Sequence, residues 1–185
     1  MKKATALILL LCILFSLAGC RAPLATADLD AELDRFIHRC IMERYGDQHP
    51  QAETEYANES HDVLGTDASE GRITVYAWVL YRQWKEENGR ATDVSGSDIP
   101  TAIMVEEQAG GTYKLIEYWE PRDGSYYSKD IQAKFPGKIR IVLDTVAQSQ
   151  TRFNATQQDA DMHFFGDELN DEEDDTDAEV LPAGA

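Results

Sequence analysis

An α+β fold is predicted by three observations in this chain of 185 residues. One apolar stripe repeats at helical spacing between Leu29 and Tyr45. Four extended segments separated by turn-forming residues follow, between residues 57 and 120. Helical spacing then returns from Tyr127 onward. A helix, a run of strands and then further helices is the order of an antiparallel sheet with segregated helices, not of alternating βαβ units.

Asp28 to Tyr45 is predicted as the first helix. Leu29, Leu33, Phe36, Ile37, Cys40, Ile41 and Tyr45 fall on one face. Asp28, Asp30 and Glu32 crowd the first turn, while Arg39 and Arg44 lie late, which suits the helix dipole. Gly46 supplies a stop. Such a helix covers either a partner or its own core, and the strands that follow need a cover.

The strands form a four-stranded antiparallel meander. A first, weaker strand runs near Ser60 to Thr66. Arg72 to Lys85 is the best patterned: Ile73, Val75, Ala77 and Val79 face one way, Tyr76, Trp78 and Leu80 the other. Apolar residues on both faces predict a central strand covered twice. Asn88-Gly89 is a strong hairpin signal. The third strand covers Thr92 to Glu107, with a bulge at Ser95-Gly96-Ser97 and an edge or irregular point at Pro100. Gly110-Gly111 turns the chain into a fourth strand, Tyr113 to Glu120, in which Tyr113, Leu115 and Glu117 alternate with Lys114, Ile116 and Tyr118.

Pro121-Arg122-Asp123-Gly124 closes that strand in a tight turn. Ser125 is placed as the cap of a short helix carrying Tyr127, Ile131 and Phe135. Pro136-Gly137 breaks it. A second helix starts near Lys138, carries Ile139, Val142, Leu143, Val146 and Phe153 on one face, and fades between Thr156 and Asp161. One or two C-terminal helices are thus expected. From Asp167 nine acidic residues follow with no basic one, and apolar residues are too sparse to offset ordering entropy, so disorder is predicted. A first helix wrapped by an antiparallel meander resembles the cystatin-like or NTF2-like architecture, an analogy that carries no function by itself.

The N-terminus predicts location. Met1-Lys2-Lys3 is a basic start, and an uncharged segment from Ala4 to Ala18 follows it. This is too short for the roughly 20 apolar residues of a spanning helix and has the form of a secretory signal. Leu17-Ala18-Gly19-Cys20 resembles the bacterial lipoprotein box. The resemblance implies cleavage before Cys20 and a diacylglyceryl thioether on its sulfur, with palmitate-type chains. Two or more acyl chains anchor stably where one does not. The expected organisation is therefore a lipoprotein signal peptide over 1–19 and a lipidated Cys20 with its tether over 20–27. A single domain follows over 28–166, then an acidic tail over 167–185. The partner expected first is the cell membrane, from its extracytoplasmic side, through lipid on Cys20.

Charge and cysteines agree with this division. A formal net charge of −17 argues against nucleic acid, which needs a basic patch, and against electrostatic docking on anionic lipid. Losing Lys2 and Lys3 leaves 15 basic residues against 34 acidic ones, a net of −19. Nine of those acids belong to the tail, so the body carries −10. Of the three cysteines, Cys12 leaves with the signal and Cys20 takes lipid. Cys40 remains alone on an apolar helix face and is expected to be a buried structural thiol, because a reactive one needs an exposed, electropositive site.

The chemistry-bearing residues are few. His38, His49, His61 and His163 show no His-Glu-x-x-His spacing, and no Gly-x-Ser-x-Gly, Ser-x-x-Lys or phosphate-binding loop occurs. Neither a cofactor nor a metal is expected. Glu59 and His61 share a strand face and form a candidate acid–base pair, against the plainer reading of edge-strand polarity. His38, one turn after Asp34, reads as a solvated helix face. Asp159-x-Asp161-x-His163 would align three ligands if extended. Trp119, Arg122, Asp123, Tyr126 and Tyr127 cluster at the end of the meander, where they serve either packing or a recognition patch.

Four stretches carry a family resemblance: Glu59-Ser60-His61-Asp62-Val63-Leu64-Gly65, Ile73-Thr74-Val75-Tyr76-Ala77, Glu120-Pro121-Arg122-Asp123-Gly124-Ser125-Tyr126-Tyr127, and Phe135-Pro136. Over about residues 30–155 the chain resembles an uncharacterised family of clostridial-type (Gram-positive) lipoproteins. It is also similar to extracellular segments of membrane proteins related to the beta-lactam-sensing metallopeptidases. The peptidase motif is absent, so the resemblance implies no catalytic residue. The expectation is a lipid-anchored, non-enzymatic binding or sensing module for an envelope protein or small molecule. The alternatives are a small envelope hydrolase or isomerase using Glu59 and His61, and an inhibitor or structural interaction protein.

Overall fold

A computed structural model describes residues 29–48, 56–147 and 150–174. The signal peptide, Cys20 and its tether, and residues 175–185 lie outside the described residues. Helix α1 (Ala31–Gln48) precedes four strands, β1 (Tyr56–Ser69), β2 (Arg72–Glu86), β3 (Ala91–Gln108) and β4 (Thr112–Trp119). A 3₁₀ turn (Gly124–Tyr126) then leads into α2 (Tyr127–Lys134), α3 (Gly137–Val146) and α4 (Gln150–Asp174). The strands form one antiparallel sheet in the order β1-β2-β3-β4. The α+β class and the meander are as the sequence predicts, with three C-terminal α-helices instead of one or two.

Asp30 caps α1: its Oδ1 accepts from the backbone N–H of Leu33 at 3.0 Å and of Glu32 at 3.1 Å. The helix therefore starts at Ala31, three residues after the predicted start at Asp28. It also passes through Gly46 with helical backbone and ends at Gln48. Glycine permits the left-handed stop but does not compel it.

The turns follow the glycines. Asn88 (φ 57°) and Gly89 (φ 72°) form the two-residue hairpin loop between β2 and β3, closed by Glu87 N–H donating to Arg90 O at 2.9 Å. In β3 the extra residue is Val94, one position before the predicted bulge, since Ser95 opposes Gln83 and Asp93 opposes Trp84. Pro100 pairs with Trp78 on the β2 side and lies beyond the reach of β4, which pairs only with Ala102–Gln108. Its missing N–H thus costs no bond to β4.

Both faces of the sheet are covered. Val63, Val75, Ala77, Val79, Tyr81, Ile103 and Val105 form one core with Leu33, Ile37, Ile41 and Tyr45 of α1. Leu64, Tyr76, Trp78 and Ala102 form the other with Ile131, Phe135, Ile139, Val142 and Leu143 of α2 and α3. A smaller third cluster joins Trp84 and Ala91 to Ala160 of α4. At about 1.5–3 kcal/mol per fully buried large apolar side chain, these clusters dominate the stability of the fold.

Three helical expectations need correction. Ser125 does not cap α2; it lies inside the 3₁₀ turn, entered through Gly124 at φ 67°, and no side chain caps either helix start. The helix predicted from Lys138 to beyond Phe153 is two helices. Arg152 folds back and donates Nη2 to the Val146 carbonyl at 3.1 Å, which satisfies the end of α3 and lets the chain turn. Phe153 then belongs to α4, under the Arg82 guanidinium at 4.9 Å. Finally, α4 does not fade near Asp161 but runs to Asp174, into the stretch read as disordered from Asp167. An established helix adds one hydrogen bond for each further residue it fixes, so extension is far cheaper than nucleation.

Candidate functional site

The most polar place on the α1 face of the sheet lies where α1 crosses the edge strand β1. Strand alternation puts Glu59 and His61 on the face that α1 covers, and Asp34 and His38 stand one turn apart on α1. The four side chains form one chain of contacts. His38 Nδ1 lies 2.7 Å from Glu59 Oε1. His61 Nδ1 lies 3.0 Å from Glu59 Oε2 and 3.1 Å from Oε1. On the opposite side of the ring, His61 Nε2 lies 3.3 Å from Asp34 Oδ1.

Burial differs sharply along this chain. The Glu59 side chain is 2% exposed and that of His61 9%, whereas His38 and Asp34 are 51% and 54% exposed. Burial pushes the Glu59 pKa up, but the two imidazole contacts outweigh it and hold the carboxyl below its ordinary value. The bond to Glu59 raises His38. For His61 burial acts downward, and Glu59 together with Asp34 overcomes it, so its pKa is also raised. Acids and histidines thus alternate along the cluster: Asp34, His61, Glu59, His38.

The sequence pairs Glu59 with His61 correctly and misses the partners. His38, read as a solvated face, makes the shortest of the histidine contacts to Glu59, at 2.7 Å. The signal was available: two residues four apart on a helix opposite two residues two apart on a strand, each pair holding one acid and one histidine.

At the other end of α1, Tyr45 donates its hydroxyl to Glu120 Oε1 at 2.6 Å, and the Ser97 hydroxyl lies 3.2 Å from the same phenol oxygen. Arg44 reaches Glu120 Oε2 at 3.1 Å, and Tyr45 stacks on Tyr81 with centroids 4.8 Å apart. Burial pushes the Tyr45 hydroxyl far up, so it stays protonated and donates.

The recognition-patch residues separate into two groups. Arg122, Asp123 and Tyr126 are exposed, with the Arg122 guanidinium 4.3 Å above the Tyr126 ring. Arg122 grips Asp130 through Nε at 2.8 Å and Nη2 at 2.7 Å, and holds that carboxyl down to about 2. Trp119 and Tyr127 instead pack against the second core, Trp119 on Phe135 at 5.8 Å. Packing is therefore the structural role of those two.

Other candidates resolve simply. Cys40 is buried, and desolvation pushes its thiol up to about 11, so it is protonated and unreactive at neutral pH. Asp159, Asp161 and His163 lie on α4, and a helix does not align them as an extended strand would. Asp159 accepts from Tyr56 and Asn58, and His163 stacks on Tyr56 at 4.0 Å. Among the described residues, no group of three or more histidine, cysteine or acidic side chains is placed to hold a metal ion. A shallow depression of about 490 Å³ at the β1–β2 turn is lined by Ala68, Ser69, Arg72 and Glu107, and by none of the histidine–carboxylate residues.

One buried charge has no counterpart in the sequence reading. Arg152 of α4 is fully buried against the sheet. It pairs with Asp62 of β1, lies 3.6 Å from Asp98 of β3 and stacks over Trp78 at 5.5 Å. Its isolated place in a polar helix gave no periodic signal.

No described helix is long and apolar enough to cross a membrane. Comparison with protein families, with curated proteins and with solved structures found no match.

Proposed function

We propose that this protein is a lipid-anchored, non-enzymatic binding or sensing module on the extracytoplasmic side of a cell membrane, attached through Cys20. The observation that carries the non-enzymatic reading is the state of Glu59. Its two oxygens are taken up by His38 and His61 under α1. A general base must be open to substrate, and this carboxylate is 2% exposed with both oxygens against histidine. The lipoprotein-box residues Leu17-Ala18-Gly19-Cys20 support the anchor, and the resemblance to clostridial-type lipoproteins supports the location. A cystatin-like or NTF2-like architecture remains part of this reading, as a fold analogy that carries no activity by itself.

A second reading, an inhibitor or structural interaction protein, draws on the exposed Arg122–Tyr126 stack, since arginine and tyrosine are favoured anchors at interfaces.

Metabolic labelling with an alkyne-tagged palmitate tests the anchor. The wild-type chain should take label and sediment with membranes, and Cys20→Ala should lose both. An unlabelled, non-sedimenting wild type would sink the proposal. Cross-linking on intact cells tests the binding surface: an adduct that disappears with Arg122→Ala/Tyr126→Ala would place the partner at this stack.

A further inference from the structure

We propose that Asp34, His38, Glu59 and His61 are a proton-operated latch between α1 and β1, so that the pH around the domain sets how firmly the first half of α1 lies on the sheet. The geometry of His61 carries the argument. Both of its ring nitrogens face carboxylate oxygens, Nδ1 toward Glu59 and Nε2 toward Asp34. Ionised carboxylates only accept, and a neutral imidazole has a single N–H to give. Only the imidazolium offers an N–H toward each carboxylate, so loss of one proton leaves one of the two contacts without a donor.

His38 completes the device. It bonds to the same Glu59 from α1, so the histidine-mediated contacts cross between helix and strand in both directions: His38 to Glu59, and Asp34 to His61. With both rings protonated the four charges cancel. With both neutral, two carboxylates remain, one of them 2% exposed and without a countercharge. That is an unfavourable state for a buried acid.

The surroundings do not compensate. From β2, Tyr81 and Val79 stand opposite Glu59 and His61. From β4, the buried Tyr118 hydroxyl feels the Glu59 charge and stays protonated, its pKa raised by burial first. On α1 itself, Arg35 pairs with Glu32, and Arg39 stands over Phe36. Arg44 is engaged with Glu120 at the far end of the helix.

The latch does not release the whole helix. Ile41 and Tyr45, in the second half, stay buried in the core through apolar contact, which no titration alters. What loosens is the first half, Ala31 to His38, which is also the part of α1 nearest in sequence to Cys20. The use of such a device rests on the extracytoplasmic reading, because pH varies there; its existence does not.

Hydrogen exchange on the full chain in detergent tests it. Amide protection of Leu33 to Arg39, corrected for the intrinsic pH dependence of exchange and referred to β2 amides, should fall at least tenfold from pH 6 to pH 8.5. In His61→Gln and in His38→Gln the same ratio should be flat, with β2 protection confirming that each variant is folded. Equal protection of the wild type at both pH values, or an unchanged fall in the variants, would overturn the latch. So would recovery of protection at pH 8.5 on adding zinc alone, which would make the cluster a metal site instead. A second measurement needs no variant: nitrogen shifts of the imidazole rings should show two histidines titrating together above the ordinary range. Two independent, ordinary titrations would overturn it. Cell fractionation answers the location separately, so a failed latch and a failed anchor give different results.

Discussion

Glu59 is the residue on which most of the polar chemistry of this fold converges. His38 and His61 titrate above the ordinary 6.5, so their contribution is complete below that value and is lost as the pH rises through the raised values. Glu59 titrates below 4.5, so its contribution is present above 4.5 and is lost as the pH falls through the lowered value. Stability from the cluster should therefore be greatest between 4.5 and 6.5 and decline on the alkaline side. Urea midpoints measured across pH 5 to 9 check this. Glu59→Gln should cost about 2 kcal/mol near pH 6, below the usual loss for a fully buried pair because His38 is half exposed. It should also flatten the alkaline decline. A variant curve parallel to that of the wild type would refute the assignment.

Elements carry the next level, and glycine distinguishes two of them. Gly96 of β3 sits where an added Cβ would lie 2.5 Å from the Tyr81 carbonyl oxygen and 3.0 Å from Arg82 Cδ. Gly96→Ala must push β3 away from β2 and should cost about 1–3 kcal/mol by denaturant titration. Gly46, inside α1, has nothing within 4 Å of its would-be Cβ. Gly46→Ala should stabilise by about 0.5–1 kcal/mol, since alanine loses less backbone entropy in a helix. The two changes are chemically identical and opposite in sign. Elements were also what the sequence revealed best. The stripe from Leu29 to Tyr45, the two-faced β2 and the Asn88-Gly89 turn depend on local periodicity and local φ, and a single chain displays both. The break between α3 and α4 depends on Arg152 reaching back to Val146, which no local pattern encodes. The candidate site was half legible for the same reason: Glu59 and His61 are neighbours in sequence, while His38 comes to them only through packing.

At the scale of the whole molecule, Arg152 ties α4 to the sheet. It draws Asp62 of β1, Asp98 of β3 and Trp78 of β2 to one guanidinium with almost no water around it. Removing the charge while leaving Asp62 in place should be costly: about 3–5 kcal/mol for Arg152→Ala, within the range for breaking a buried pair. Arg152→Met keeps a stem of similar length over Trp78 and should lose less. Thermal or urea unfolding of both variants checks the order, and Met proving the worse of the two would refute it. The first core extends from Leu33 to Val105, and this spacing has a consequence for how the chain is made. Synthesis delivers α1 first, yet the strands it lies on, β2 and β3, are finished only some sixty residues later. Until Val105 has emerged, the stripe of Leu33, Ile37 and Ile41 has no native surface to meet, and the nascent chain carries an uncovered greasy helix. The first core can therefore close only after β3 is made, while the second, which needs Ile131 to Leu143, must wait for the C-terminal helices.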